Sequence, residues 1–157
     1  MNDSRKSNRR RLVLSMFLLG AVIVPATSSA RTQPASLGRA VSNADTGCFS
    51  LWYSTVTNNC GSTRGFEMPL VIDSGGNKTV SVTAYGAGPS NNVCCTATGV
   101  NRETTLVWGS GAAQCLPSFG SSQFITMTGA HVPGWGYAYA TCQVSPGGRV
   151  NTVGFNG

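Results

Sequence analysis

Thr79-Val80-Ser81-Val82-Thr83-Ala84-Tyr85 alternates strictly between apolar residues and hydroxyl-bearing ones. A period of two sets Val80, Val82 and Ala84 on one face of a strand and Thr79, Ser81, Thr83 and Tyr85 on the other, so one face meets a core and the other meets water. Just upstream, Leu70-Val71-Ile72 is a second apolar run, and the turn-forming Asp73-Ser74-Gly75-Gly76-Asn77 between the two predicts a hairpin. Runs rich in Val, Ile, Thr, Tyr and Phe, separated by Gly, Asn, Ser and Pro, recur at residues 49–57, 93–100, 104–109, 123–129, 137–144 and 149–155. No long stretch has helical spacing. About eight antiparallel strands at this spacing predict an all-β domain, a small antiparallel β-sandwich of jelly-roll type, with a closed β-barrel as the alternative.

The six cysteines test that architecture. Neighbours on a strand point to opposite faces, so Cys94 and Cys95 have different partners. Val93, Cys95 and Ala97 form the more apolar face of one strand, and Ala138, Ala140, Cys142 and Val144 that of another, which pairs Cys95 with Cys142 inside the core. A turn near residues 101–104 brings Cys115 back beside the outward Cys94, and Cys48 with Cys60 closes a short loop at the start of the domain. None of the six has CxxC spacing and the chain has a single histidine, so a zinc site is a poor rival.

An even set of paired cysteines belongs in an oxidising compartment, and the amino terminus agrees. Arg5, Lys6, Arg9, Arg10 and Arg11 precede an apolar run from Leu12 to Val24, Pro25 ends it, and Ser28-Ser29-Ala30 supplies small residues for cleavage after Ala30. The run is shorter than the roughly 20 residues of a membrane span. Residues 1–30 therefore read as a signal peptide, residues 31–46 as a flexible polar lead-in and residues 47–157 as the sandwich, secreted or periplasmic and free of the membrane once the signal is removed. Arg9-Arg10-Arg11 also fits a twin-arginine signal, but disulfides form after export, which favours general secretion.

The whole chain carries a formal charge of +6, yet five of its eleven Lys and Arg residues and one of its five acids lie in residues 1–30. What remains, Arg31, Arg39, Arg64, Lys78, Arg102 and Arg149 against Asp45, Glu67, Asp73 and Glu103, is scattered singly and forms no basic stripe for nucleic acid.

No catalytic constellation emerges, and no cofactor motif. His131 sits in the turn-like Gly129-Ala130-His131-Val132-Pro133-Gly134 without a nucleophile motif to serve. Glu67 and Glu103 are the one carboxylate pair that could converge for a hydrolase. Asp73, Ser74 and Asn77 offer oxygens to calcium, but one carboxylate is too few and a turn explains the same residues. Asn77-Lys78-Thr79 is a glycosylation sequon.

Aromatic residues are the remaining signal. Trp52 and Trp108 are expected in the core or over its ends. Trp135 lies between two glycines, and Tyr137 and Tyr139 share the face opposite Ala138 and Ala140, pointing outward. The expectation is a non-enzymatic module binding glycan or an extracellular protein through Trp135, Tyr137 and Tyr139. The alternatives are a structural matrix component, which needs those rings buried, and a small hydrolase using Glu67 and Glu103.

Overall fold

A computed structural model describes residues 30–109 and 112–156; the segment read as a signal peptide lies outside them up to residue 29. In chain order the strands are β1 (Ala30–Pro34), β2 (Arg39–Ala40), β3 (Phe49–Trp52), β4 (Thr55–Asn58), β5 (Arg64–Leu70) and β6 (Gly76–Tyr85). They continue as β7 (Val93–Val100), β8 (Val107–Gly109), β9 (Gln114–Cys115), β10 (Gln123–Val132), β11 (Tyr137–Val144) and β12 (Arg149–Asn156). One sheet runs β10-β6-β12-β4-β3 with β1 also on β12; the other runs β2-β5-β11-β7-β8 with β9 also on β7. Two separate antiparallel sheets make a sandwich, not a closed barrel.

The alternation of β6 decides how the sheets meet. Val80, Val82 and Ala84 are fully buried beside Ile125 and Met127 of β10 and Val150 and Val153 of β12. The second sheet supplies Phe66 and Met68 of β5, Val93, Cys95 and Ala97 of β7, and Ala138, Ala140 and Cys142 of β11. Each large apolar side chain taken from water contributes on the order of 1.5–3 kcal/mol. Among the described residues the one polar side chain with no exposure is Asn58, and its amide is satisfied. Nδ2 donates to the carbonyls of Val144 (2.7 Å) and Ser62 (2.9 Å), and Oδ1 accepts from the Cys60 N–H (2.9 Å).

All three expected disulfides form: Cys48–Cys60, Cys94–Cys115 and Cys95–Cys142. Cys95 stands directly opposite Cys142 on neighbouring strands, both wholly buried, while Cys94 pairs across the outer side with the exposed Cys115.

Three expectations need correction. Residues 70–72 and 79–85 do not form a hairpin: β5 and β6 belong to different sheets, and the 71–75 turn carries the chain across the end of the sandwich. Phe66, Met68 and Leu70 face the core from one side and Val80, Val82 and Ala84 from the other, an arrangement with the same turn chemistry as a hairpin. Residues 49–57 are two strands, β3 and β4, folded about Tyr53 and Ser54. Residues 31–46 are not a loose lead-in: the described chain from residue 30 already pairs into the two sheets. β1 pairs with β12 from Ala30↔Asn156 to Pro34↔Thr152, Ala35 is fully buried, and β2 joins the edge of β5. This segment is held by backbone pairing, one small buried side chain and the ion pairs of Arg31, Arg39 and Asp45, which leaves no apolar alternation to read.

Candidate functional site

The 71–75 crossing places one loop beside the β10–β11 connection at the same end of the sandwich. Gly75 makes the approach possible: a Cβ there would stand 3.1 Å from the Gly134 nitrogen and from the Val132 carbonyl oxygen. Between the loops lies an open cleft of about 460 Å³, lined by residues 72–75 and 132–136. It contains one carboxylate, Asp73, which is paired with Arg31, and one hydroxyl, Ser74.

Trp135 forms its aromatic wall. The Gly136 N–H bonds the Pro133 carbonyl at 2.9 Å, closing a turn. Trp135 holds the third position at φ 66°, where glycine is ordinarily required. The residue is 88% exposed. Gly136 cannot carry a side chain, because a Cβ would come within 2.4 Å of the Val100 carbonyl oxygen, so the turn is seated firmly against β7. A bulky residue in the left-handed region, with its ring in water, is unfavourable on both counts.

Tyr137 and Tyr139 do face outward from β11, the first about half exposed and the second half-buried. They lie on the outer face of the sheet, with Tyr139 flanked by Pro69 and Thr98, and do not line the Trp135 cleft.

Neither catalytic candidate assembles. Glu67 accepts from Arg39 at 3.0 Å on the β2–β5 edge, whereas Glu103 accepts from the Asn101 amide in the turn after β7. The register puts Glu67 level with Thr96 across two strand spacings, four residues short of Val100, a separation of roughly 15 Å before the turn is reached. His131 is exposed, with Nδ1 3.0 Å from Asn77 Oδ1 and its ring against Trp108 at 6.0 Å between centroids. The three oxygens weighed for calcium do not converge. Asp73 holds Arg31, Ser74 accepts from Lys78 and Asn77 meets His131. Among the described residues no group of three potential metal ligands occurs.

Sequence reasoning missed a second surface. Trp52 is 74% exposed rather than in the core, because β3 is an edge strand and Trp52 faces away from the opposing sheet. Trp108 is half-buried. With Tyr85, Arg149, Asn151, Thr55, Thr57 and Ser122, Trp52 lines a depression of about 350 Å³ on the outer face of the first sheet. The Arg149 guanidinium lies 5.2 Å from the centre of the Tyr85 ring. Asn151 accepts from Thr55 (3.2 Å) and donates to Ser122 (3.4 Å). Tyr85 and Gly76 are the two ends of β6, so this depression and the Trp135 cleft lie about 30 Å apart along the strand. The polar alternation of β4, β6 and β12 was the available signal, and it read only as a wet face.

Among solved structures the chain is similar to a family two carbohydrate esterase from Cellvibrio japonicus, with TM-score 0.51 and 9% identity over 82% of this chain and 34% of that one. It is similar to the C-terminal CBM6 of LamC, a marine laminarinase from Zobellia galactanivorans, with TM-score 0.51 and 13% identity over 82% of this chain and 100% of that one. A GH26-CBM35 β-(1,4)-mannanase from Podospora anserina gives TM-score 0.50 and 10% identity over 82% of this chain and 28% of that one. At such identities the shared property is the sandwich fold. The chain spans about a third or less of the esterase and mannanase chains and the whole of the CBM6 chain. No protein-family model matches the chain, and no match is found among curated proteins.

Three disulfides make this a domain of an oxidising, extracytoplasmic compartment. No helix among the described residues is long and apolar enough to cross a membrane.

Proposed function

We propose that the domain is a non-enzymatic glycan-binding module, secreted or periplasmic, whose ligand stacks on Trp135 at the loop end of the sandwich. The observation that carries this reading is Trp135 itself, a residue 88% exposed on a φ of 66° beside an open cleft. The C–H face of a sugar ring packs on an exposed indole, and the Ser74 hydroxyl and loop backbone supply hydrogen bonds to its hydroxyls. Tyr137 and Tyr139 lie on the outer face of β11, outside this cleft. The sandwich shared with a carbohydrate-binding module supports the reading, although a fold alone hosts many functions.

The structural-component alternative needs buried rings and fits poorly with exposed Trp52 and Trp135. A hydrolase fits poorly with Glu67 and Glu103 held by separate partners.

Affinity electrophoresis of the full, disulfide-bonded chain through gels containing soluble plant, algal and bacterial polysaccharides tests the proposal. At least one polymer should retard the protein, and Trp135→Ala should weaken that binding about 10-fold or more, the equivalent of one buried aromatic contact. Retardation by none of them, or equal retardation of Trp135→Ala, refutes it.

A further inference from the structure

We infer that the Trp135 cleft takes an acidic glycan, holding a carboxylate or sulfate oxygen through Ser74 with the Lys78 ammonium behind it; this rests on the glycan-binding reading of the same cleft. Lys78 continues the inward row of β6 formed by Val80, Val82 and Ala84, and only 4% of it is exposed. Its aliphatic stem covers the end of the core, as lysine stems do. Its head lies in partly buried surroundings. Nζ donates to Ser74 Oγ at 3.1 Å, its one hydrogen bond among the described residues although an ammonium has three donors.

Among the described residues that charge has no carboxylate in ion-pair contact. Asp45, Glu67 and Asp73 are paired with Arg64, Arg39 and Arg31. The remaining acid among the described residues, Glu103, is held by Asn101 in the turn after β7. Burying a cation without an anion costs several kcal/mol. A fold that carries such a charge behind a cleft is suited to receive the anion from outside.

Ser74 is the route. Its oxygen accepts from Lys78, so its own O–H is free to donate, and the residue is exposed on the cleft wall. A hydroxyl polarised by an ammonium is a stronger donor, and it favours a charged acceptor over a neutral one. Asp73 next to it is engaged by Arg31, which offsets part of its repulsion of that acceptor. Trp135 would then carry the sugar ring while Ser74 reads its acid group.

The test compares three polymers on the full chain by calorimetry: a polyuronate, the same polymer with its carboxyl groups reduced to alcohols, and a sulfated neutral polysaccharide. The inference expects the polyuronate or the sulfated polymer to bind about 10-fold or more tightly than the reduced one, the size of one hydrogen bond to a charged group. Which of the two anionic polymers binds names the anion. Lys78→Met, which keeps the volume and removes the charge, should bring the polymers to within about twofold. Ser74→Ala, on an exposed residue, gives the same readout should Lys78→Met not fold. Equal binding of acidic and reduced polymers, with both lost in Trp135→Ala, overturns the acidic preference and leaves the glycan reading standing. A preference unchanged in both Lys78→Met and Ser74→Ala overturns this assignment of it. Binding of no polymer overturns both.

Discussion

Removing the two best-separated disulfides one at a time should give unequal losses, and the structure says which is larger. Cys95–Cys142 closes a loop of 47 residues and Cys94–Cys115 one of 21. In the chain-entropy account these contribute about 4 and about 3 kcal/mol at 25 °C. Burial widens the difference. Cys95 and Cys142 are wholly buried, so replacing both by alanine also leaves voids worth about 1–2 kcal/mol. Cys115 is exposed, and its loss opens no comparable cavity. The double alanine variants should therefore lose about 5–6 and about 3 kcal/mol, against the roughly 5–15 kcal/mol that folded domains possess. With a urea slope near 2 kcal/mol/M, equilibrium midpoints should fall by about 2.5–3 M for Cys95→Ala/Cys142→Ala and about 1.5 M for Cys94→Ala/Cys115→Ala. Equal losses, or the reverse order, would show that loop length and core position do not govern how these bonds stabilise the sandwich.

Two substitutions probe the site itself. Gly136→Ala drives a methyl against the Val100 carbonyl oxygen, so thermal melting should report a loss of about 1–3 kcal/mol and polysaccharide binding should fall with the displaced Trp135 turn. Unchanged binding in that variant would mean that the seating of the turn on β7 is irrelevant to the ligand. Trp52→Ala, on the other surface, should leave binding at the Trp135 cleft within about twofold by gel retardation, because well-separated sites without shared partners behave independently. A loss as large as that of Trp135→Ala would move the site to the outer face of the first sheet.

The features legible in the sequence were those that one strand displays by itself. The alternation through Val80, Val82 and Ala84 was enough to orient β6, and the opposite facing of Cys94 and Cys95, with the apolar faces of their strands, gave the two different partners that the structure shows. What depended on a second element was hidden. Asp73 to Asn77 has the chemistry of a tight turn whether the chain returns to the same sheet or crosses to the other. Ala30 to Pro34 has no apolar rhythm because its contribution to the fold is backbone pairing to β12. Trp52 carries no mark of exposure; among the described residues β3 has no neighbour beyond it, and Trp52 falls on its outward face. Of the residues expected at the site, Trp135 reaches a cleft through its flanking glycines, while Tyr137 and Tyr139 follow the alternation of β11 onto a different surface.

Strain and exposure coincide in this domain in a way that stability does not require. Among the described residues three non-glycine positions have positive φ, and two of them, Tyr53 and Trp135, are aromatics more than four-fifths exposed. A left-handed non-glycine residue costs on the order of 1 kcal/mol, and glycine would remove the strain at either turn. Selection for a durable fold would have placed it there, as it did at Gly76 and Gly147. The Trp135 end adds a lysine ammonium with no carboxylate in ion-pair contact among the described residues, and Ser74, its one hydrogen-bond acceptor there, opens on the same cleft. The Tyr53 hairpin has no such companion, since the one unpaired cation near it, Arg149, has a ring to lie against. Two independent departures from the most stable arrangement thus meet at one end of the sandwich, and the proposed acidic glycan would cover the exposed indole and supply the missing negative charge.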